Sequence, residues 1–211
     1  MRLVDALSAL ASMKASVFHT SDAAARLGIA NAHASTILAR LAAAQHVVRL
    51  RRGVWAFAGR VDPLALPEHL TSPLPSYVSL QSALYLHGMI SQVPAVTYAV
   101  SLARTRRFVT PLGTVSVHHV DPTFFFGFED TARGGRLATA EKALVDFLYL
   151  GPARSRLFRA LPELDLPRRF SLRAARAIVT RIESARRRAF VSRALDRLIE
   201  ASRRTRAVSI S

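Results

Sequence analysis

The feature that most constrains the fold of this chain is a helix–turn–helix pattern between residues 20 and 43. The run DAAARLG ends at Gly28, and glycine ends helices because it adopts left-handed backbone angles without strain. After a turn of about three or four residues, the run AHASTILARLAAA begins. Its apolar residues recur at helical spacing and share one face, namely Ala34, Ile37, Leu38 and Leu41. The pattern predicts two packed helices, the second of which is amphipathic.

Two strand-like runs follow the second helix. VVRL and VWAF are rich in β-branched or aromatic residues, and a basic turn ending in glycine joins them. A further helix is indicated near the amino terminus by leucines at helical spacing: Leu3, Leu7 and Leu10. Three helices and a two-stranded hairpin form a winged helix, and we predict this fold for residues 1–60.

The outward face of the second helix is the candidate surface for reading DNA. If the apolar stripe faces the core, then His33, Thr36 and Arg40 point into solvent. Asn31 and Ser35 lie at the start of the same helix. Side chains in such positions of a helix-turn-helix reach base edges in the major groove. We therefore predict that these five residues contact DNA.

The turn between the two strands is a second candidate contact. Arg51 and Arg52 would meet phosphates or enter the minor groove, and Gly53 permits the tight turn. Arg49 would support them from the strand. Winged helices also serve as protein-interaction modules, and an arginine turn is often only a solvated loop. The basic charge of the segment favours DNA.

The charge of the chain is concentrated at its two ends. The formal net charge is +16. Residues 1–60 contain eight Arg or Lys against two Asp or Glu, and residues 154–211 contain sixteen against five. Residues 61–153 contain six against seven. Two basic ends around a near-neutral middle indicate an anionic partner, and nucleic acid is the favoured one.

Composition argues against several other classes of protein. Half of the residues are hydrophobic, which suffices for a core. No apolar run approaches the roughly 18 residues of a membrane span. The first helix carries Asp5 and lacks a cleavage site, so we expect neither a membrane protein nor a signal peptide. Cysteine is absent, which fits the cytoplasmic location that we expect.

Residues 61–75 contain four prolines and are predicted to be a linker to a second domain, residues 76–211. In that domain YVSLQSALYLHGMI indicates a short helix and AVTYAVSL a strand. RTRRFVTPLGTVSVHHV indicates a hairpin, FFFGFE a further strand and ATAEKALVDFLYL a helix. The predicted fold class is α+β: a winged helix-turn-helix, then an α/β domain with a small, mostly antiparallel sheet and carboxy-terminal amphipathic helices.

The carboxy-terminal helices begin after Ser171, a candidate cap. One face of each is apolar and the opposite face is rich in arginine. Basic helices of this kind bind membrane surfaces in some proteins, but Trp and Lys anchors are missing here. We expect them to pack on the second domain, with their arginines exposed to DNA phosphates or to an RNA-bound toxin.

The order of these motifs resembles the AbiEi family, the antitoxins of type IV toxin–antitoxin and abortive-infection systems. The resemblance covers most of the chain: a winged helix ending in RLRRGVWAF, then YVSLQSALYLHGMI, a strand pair, FFFGFE and AEKALVDFLYLG. Its most specific pieces are SALYLHG and AEKALVDFLYL. Two positions depart from the family pattern, since Gln45 stands where glycine is usual and Trp55 where tyrosine is commoner.

The resemblance implies a function that the residue patterns alone do not. In this family the amino-terminal domain binds inverted repeats in its own promoter and represses the operon. The carboxy-terminal domain is associated with neutralising a nucleotidyltransferase-like toxin encoded next door, without a stable complex being required. The expected partners are therefore double-stranded DNA and such a toxin, and we expect no catalytic residue and no cofactor.

An enzymatic role is the least favoured hypothesis. A metal-dependent nuclease needs acidic residues on strands together with an acid-x-Lys strand. The charged residues Glu141, Lys142 and Asp146 instead lie on an apolar helix. We expect Glu141 to form a local cap or ion pair and Lys142 to face solvent. His118 and His119 would project to opposite faces of a strand, so no metal site is predicted.

Arg104, Arg106 and Arg107 begin the predicted hairpin. They would either extend the nucleic-acid surface or form a solvated turn, and the sequence favours neither. Beside the antitoxin hypothesis stands a winged-helix transcription regulator whose second domain senses a ligand or oligomerises.

Overall fold

The computed structural model describes residues 1–132, 134–151 and 164–208. The fold is α+β, as predicted, and the described residues form two sheets.

The amino-terminal part has the element order of a winged helix. Its elements are α1 (Leu3–Ala11), β1 (Val17–His19), α2 (Thr20–Leu27), α3 (Asn31–Ala43), β2 (Val48–Arg51) and β3 (Val54–Ala56). The three strands form an antiparallel sheet in the order β1, β3, β2. Strand β1 is absent from the sequence-based prediction because three residues are too few to show a two-residue period.

Residues 61–75 differ from the linker that their prolines predict. They contain α4 (Leu66–Thr71), with proline in its first turn, where the missing N–H leaves no helical bond unmade. Two leucines one turn apart, Leu66 and Leu70, are buried in a cluster that also contains Leu50, Val54, Ala56, Ala99, Val115 and Val117. The segment is therefore packed between the winged helix and the second sheet. The domain boundaries themselves remain a prediction.

The second sheet has six strands in the described residues. They are β4 (Ser76–Val78), β5 (Thr97–Ser101), β6 (Arg106–Thr110), β7 (Gly113–His119), β8 (Phe128–Asp130) and β9 (Arg136–Ala138). The order is β6, β7, β5, β4, β9, β8, with three antiparallel and two parallel pairings. The strand predicted for FFFGFE is confined to its last residues, because residues 122–124 form a 3-10 turn.

Helices cover one face of this sheet. They are α5 (Leu80–Leu86), α6 (Ala140–Leu150), α7 (Leu172–Thr180) and α8 (Ala185–Val208). The hydroxyl of Ser171 accepts the N–H of Ala174 at 3.2 Å and caps α7, as predicted. Glu141 accepts the N–H of Ser171 at 2.7 Å, so it supports the start of α7 rather than its own helix. The opposite face of the sheet meets α4 and the winged helix.

The expectation that Lys142 faces solvent is wrong. Its side chain is fully buried and forms an ion pair with Asp146, one turn further along α6. The Lys142 ammonium also donates to the carbonyl of Phe124 at 3.1 Å and lies 3.8 Å from the centre of that ring. The Asp146 carboxylate accepts hydrogen bonds from Tyr77 at 3.0 Å and Ser79 at 2.8 Å. Burial raises the pKa of Asp146, and the facing ammonium opposes that rise.

Candidate nucleic-acid interface

Helix α3 buries its predicted apolar stripe and leaves the other face in solvent. The buried residues are Ala34, Ile37, Leu38 and Leu41. The five predicted contacts on this helix are all exposed: Asn31, His33, Ser35, Thr36 and Arg40. The Thr36 hydroxyl donates to the carbonyl of Ala32 at 3.2 Å, so it is partly engaged within the helix. The face presents short polar side chains, one imidazole and one guanidinium.

The turn of the wing is short and is held at the start of α2. Only Arg52 and Gly53 separate β2 from β3, and Gly53 adopts a φ of +76°, which a residue with a Cβ rarely does. The carbonyl of Gly53 accepts the N–H of Thr20 at 3.0 Å. The indole N–H of Trp55 donates to the Thr20 hydroxyl at the same distance. These two bonds fix where the turn lies relative to the helix-turn-helix.

Arg49 and Arg51 have different surroundings although they are two residues apart on β2. The pairing register shifts between them, as at a β-bulge, and a bulge re-aims the side chains that follow it. Arg49 is exposed, and its guanidinium carbon lies 5.6 Å from the centre of the Trp55 ring. Arg51 is half-buried instead.

Arg51 turns away from the tip of the wing. Its Nη2 donates to the main-chain carbonyl of Ser72 at 3.0 Å, just beyond the end of α4. Its Nε is buried without a hydrogen-bond partner in the part of the chain that the structure describes. Arg52 is exposed. Arg51 and Arg52, which the sequence-based prediction treats as equivalent, therefore point in different directions. Arg52 is the one whose guanidinium the turn exposes to solvent.

The structure brings Arg104 and Arg106 next to the wing. These two side chains join Arg51 and Arg52 around a cleft of about 320 Å³, and we call this the basic cleft. Its other walls include Leu70, Ala103 and Phe108. Arg106 lies over the Phe108 ring, with 5.0 Å between guanidinium carbon and ring centre. Strand β2 of the wing and edge strand β6 are in contact, which explains why residues so distant in sequence meet here.

Arg107 lies on the other face of the second sheet. Neighbouring residues of a strand point to opposite faces, so Arg107 is directed away from the cleft that Arg106 lines. There it lies near Tyr98, where burial raises the pKa of the phenol and the positive charge of Arg107 opposes that rise. His118 is on this face too, and burial lowers its pKa. The three predicted accessory arginines therefore separate into a pair and a single residue.

The basic cleft carries no compensating negative charge in the described structure. No Asp or Glu of the described residues lines it, and its four arginines form no ion pair with a described residue. Elsewhere in the described chain, no three His, Asp or Glu side chains are grouped so that they could hold a metal ion. None of the described helices combines the length and the apolar character that crossing a membrane requires.

One family model matches part of the chain. Residues 5–58, which include β1 to β3 and nearly all of α1, match the model described as a transcriptional regulator, AbiEi antitoxin. No curated protein matches the chain.

Proposed function

We propose that this protein is a DNA-binding autorepressor that also acts as an antitoxin, because its residues 5–58 match the family model described as a transcriptional regulator, AbiEi antitoxin. It binds inverted repeats in its own promoter and counteracts a nucleotidyltransferase-like toxin encoded by a neighbouring gene. A stable complex with that toxin is not required.

The exposed polar face of α3 carries the DNA-binding half of the proposal. A helix that packs one face in a core and offers Ser, His, Thr and Arg on the other has the side chains that hydrogen-bond base edges. Arg52 and Arg49 supply exposed positive charge on the wing, and phosphate contacts there would give affinity without sequence choice. The two sets of contacts are separable by their response to salt.

The test is fluorescence anisotropy with a labelled duplex from upstream of the protein's own gene. Arg40→Ala removes the only guanidinium on the α3 face, and we expect affinity for that duplex to fall by about fivefold to a hundredfold relative to an unrelated duplex. Arg173→Ala removes an exposed arginine of α7 and is the matched control: a phosphate contact carries no sequence choice, so its preference for that duplex over the unrelated one should equal that of the wild type. Equal behaviour of the two variants would refute the proposed reading surface.

The antitoxin half is tested by co-expression with the neighbouring nucleotidyltransferase-like gene. We expect the wild type to restore growth. We also expect Arg40→Ala to restore it when expressed from a foreign promoter, because neutralisation belongs to the part of the chain after the winged helix. Loss of rescue in this variant would link neutralisation to DNA binding and contradict the proposal.

A further inference from the structure

We propose that the basic cleft is a binding site for a phosphate-type oxyanion, held between the wing and the edge of the second sheet. Arg52 closes it from the wing turn, Arg104 and Arg106 from the sheet side, and Arg51 from its inner wall. The anion is either a backbone phosphate of bound DNA or the phosphate of a free ligand such as a nucleotide.

The first argument is electrostatic. Four guanidinium groups line about 320 Å³, and no carboxylate among the described residues pairs with any of them. Like charges this close repel one another, and that repulsion is relieved when an anion enters. Guanidinium groups favour phosphate in particular, because their planar N–H pairs match two of its oxygens.

The second argument is an unmet hydrogen bond. The Nε of Arg51 is buried and lacks an acceptor in the described structure, although the Nη2 of the same side chain donates to Ser72. A buried donor without an acceptor costs free energy, so such groups usually have a ligand or water. An oxyanion at the inner end of the cleft would supply the acceptor.

The position of Arg51 also gives the site a consequence beyond binding. Arg51 is already fixed to the end of α4, and Arg104 precedes β6, so an anion in the cleft adds a bridge between the wing and the second sheet. The site would therefore hold the wing in one position. In this scheme Arg51 contacts the anion through its Nε, as Arg52, Arg104 and Arg106 do from the other walls, and it also fixes the site to the end of α4.

The anion site is tested by titration with pyrophosphate. Binding is monitored by NMR through the ¹⁵Nε–H signals of the arginines. The Arg51 signal is assigned by its disappearance in Arg51→Lys. We expect it to shift saturably with pyrophosphate and not with chloride at equal ionic strength. In Arg104→Gln/Arg106→Gln the affinity should fall at least tenfold. Arg173→Gln/Arg193→Gln, which removes two exposed arginines of α7 and α8, should bind as the wild type does.

The source of the anion is distinguished by a second arm, which rests on the proposed function. If the cleft takes a DNA phosphate, the Arg104→Gln/Arg106→Gln variant binds duplex DNA more weakly, with a salt slope smaller by about two. If that variant binds DNA as the wild type does but has lost pyrophosphate binding, the cleft binds a free phosphorylated ligand instead. If the wild type binds no DNA, the proposed function fails and the pyrophosphate arm alone decides the site.

An absent or unsaturable pyrophosphate shift overturns the anion site, whatever the DNA result. An unchanged pyrophosphate affinity in Arg104→Gln/Arg106→Gln overturns it as well. Both substituted arginines are exposed and form no ion pair with a described residue. The variant should therefore still fold cooperatively, which its unfolding curve, measured beside each titration, checks.

Discussion

Arg51 of the wing donates a hydrogen bond to the main-chain carbonyl of Ser72, over 3.0 Å, and so connects β2 to the end of α4. Arg52, the next residue, is exposed. One guanidinium therefore stabilises the position of the wing while its neighbour faces solvent.

Arg51→Ala and Arg52→Ala should have different effects. We expect Arg51→Ala to lower the free energy of unfolding by about 1 kcal/mol, because a hydrogen bond is lost. Arg52→Ala should leave stability unchanged and reduce the salt slope of DNA binding by about one, since one phosphate contact disappears. Urea denaturation and anisotropy at several salt concentrations measure the two quantities. Identical profiles for the two variants would contradict this division of roles.

Breaking the buried ion pair should destabilise the fold strongly. Lys142→Met or Asp146→Asn leaves the other member of the pair buried without its counter-charge, which costs about 3–5 kcal/mol. In the double variant neither charge remains, and the amide oxygen that Asp146→Asn introduces still accepts from Tyr77 and Ser79. The double variant should therefore lose less than the sum of the single losses. Strict additivity in urea denaturation would show that the two groups do not stabilise each other.

Two half-buried histidines should make the fold less stable in mild acid. Burial lowers the pKa of His118 and of His69 from the ordinary value of 6.5, although Glu68 opposes the change at His69. Below pH 6.5 the unfolded chain binds more protons at these sites than the folded one. The stability they contribute is thus present above pH 6.5 and is lost as the pH falls through the folded-state values.

The measurement is the free energy of unfolding between about pH 8 and about pH 5.5, for the wild type and for His69→Gln/His118→Gln. We expect parallel curves above about pH 7 and a shallower decline in the variant below pH 6.5. Equal slopes in that lower range would exclude these histidines as the cause.

Gln45 occupies a position that suits glycine. It follows α3 with a φ of +60°, and the N–H of His46 bonds to the carbonyl of Leu41 at 2.9 Å, as in a Schellman motif. Gln45→Gly removes the strain of a left-handed residue but adds entropy to the unfolded chain, so we expect a net gain of about 0.5–1 kcal/mol. Gln45→Ala keeps a Cβ and should gain nothing. A gain of the same size in both variants in thermal or urea unfolding would rule out backbone strain.

Local periodicity was enough to predict the winged helix. The stripe of α3, the stop at Gly28 and the turn at Gly53 depend on residues within one or two helical turns or a single hairpin, and each is found as expected. The positive φ of Gln45 likewise fits the expectation that glycine is usual at this position.

Features that depend on distant residues were not predictable in the same way. The adjacent charges of Glu141 and Lys142 are typical of a solvent-exposed helix face. The Lys142 side chain is buried because aromatic rings from other segments enclose it. The spacing of Asp146 four residues later was the available signal. The basic cleft joins the wing to residues far along the chain through contact of β2 with β6, and no sequence pattern records that contact.

The apolar cluster around α4 limits how this chain can exchange modules. A recombination that joined a different second domain directly after residue 60 would remove Leu66 and Leu70. Leu50 and Val54 of the wing would then lose the side chains that pack against them. The winged helix would then expose a hydrophobic patch that α4 normally covers, and such patches promote aggregation. We therefore expect functional recombinants to be joined after Thr71, so that α4 stays with the winged helix.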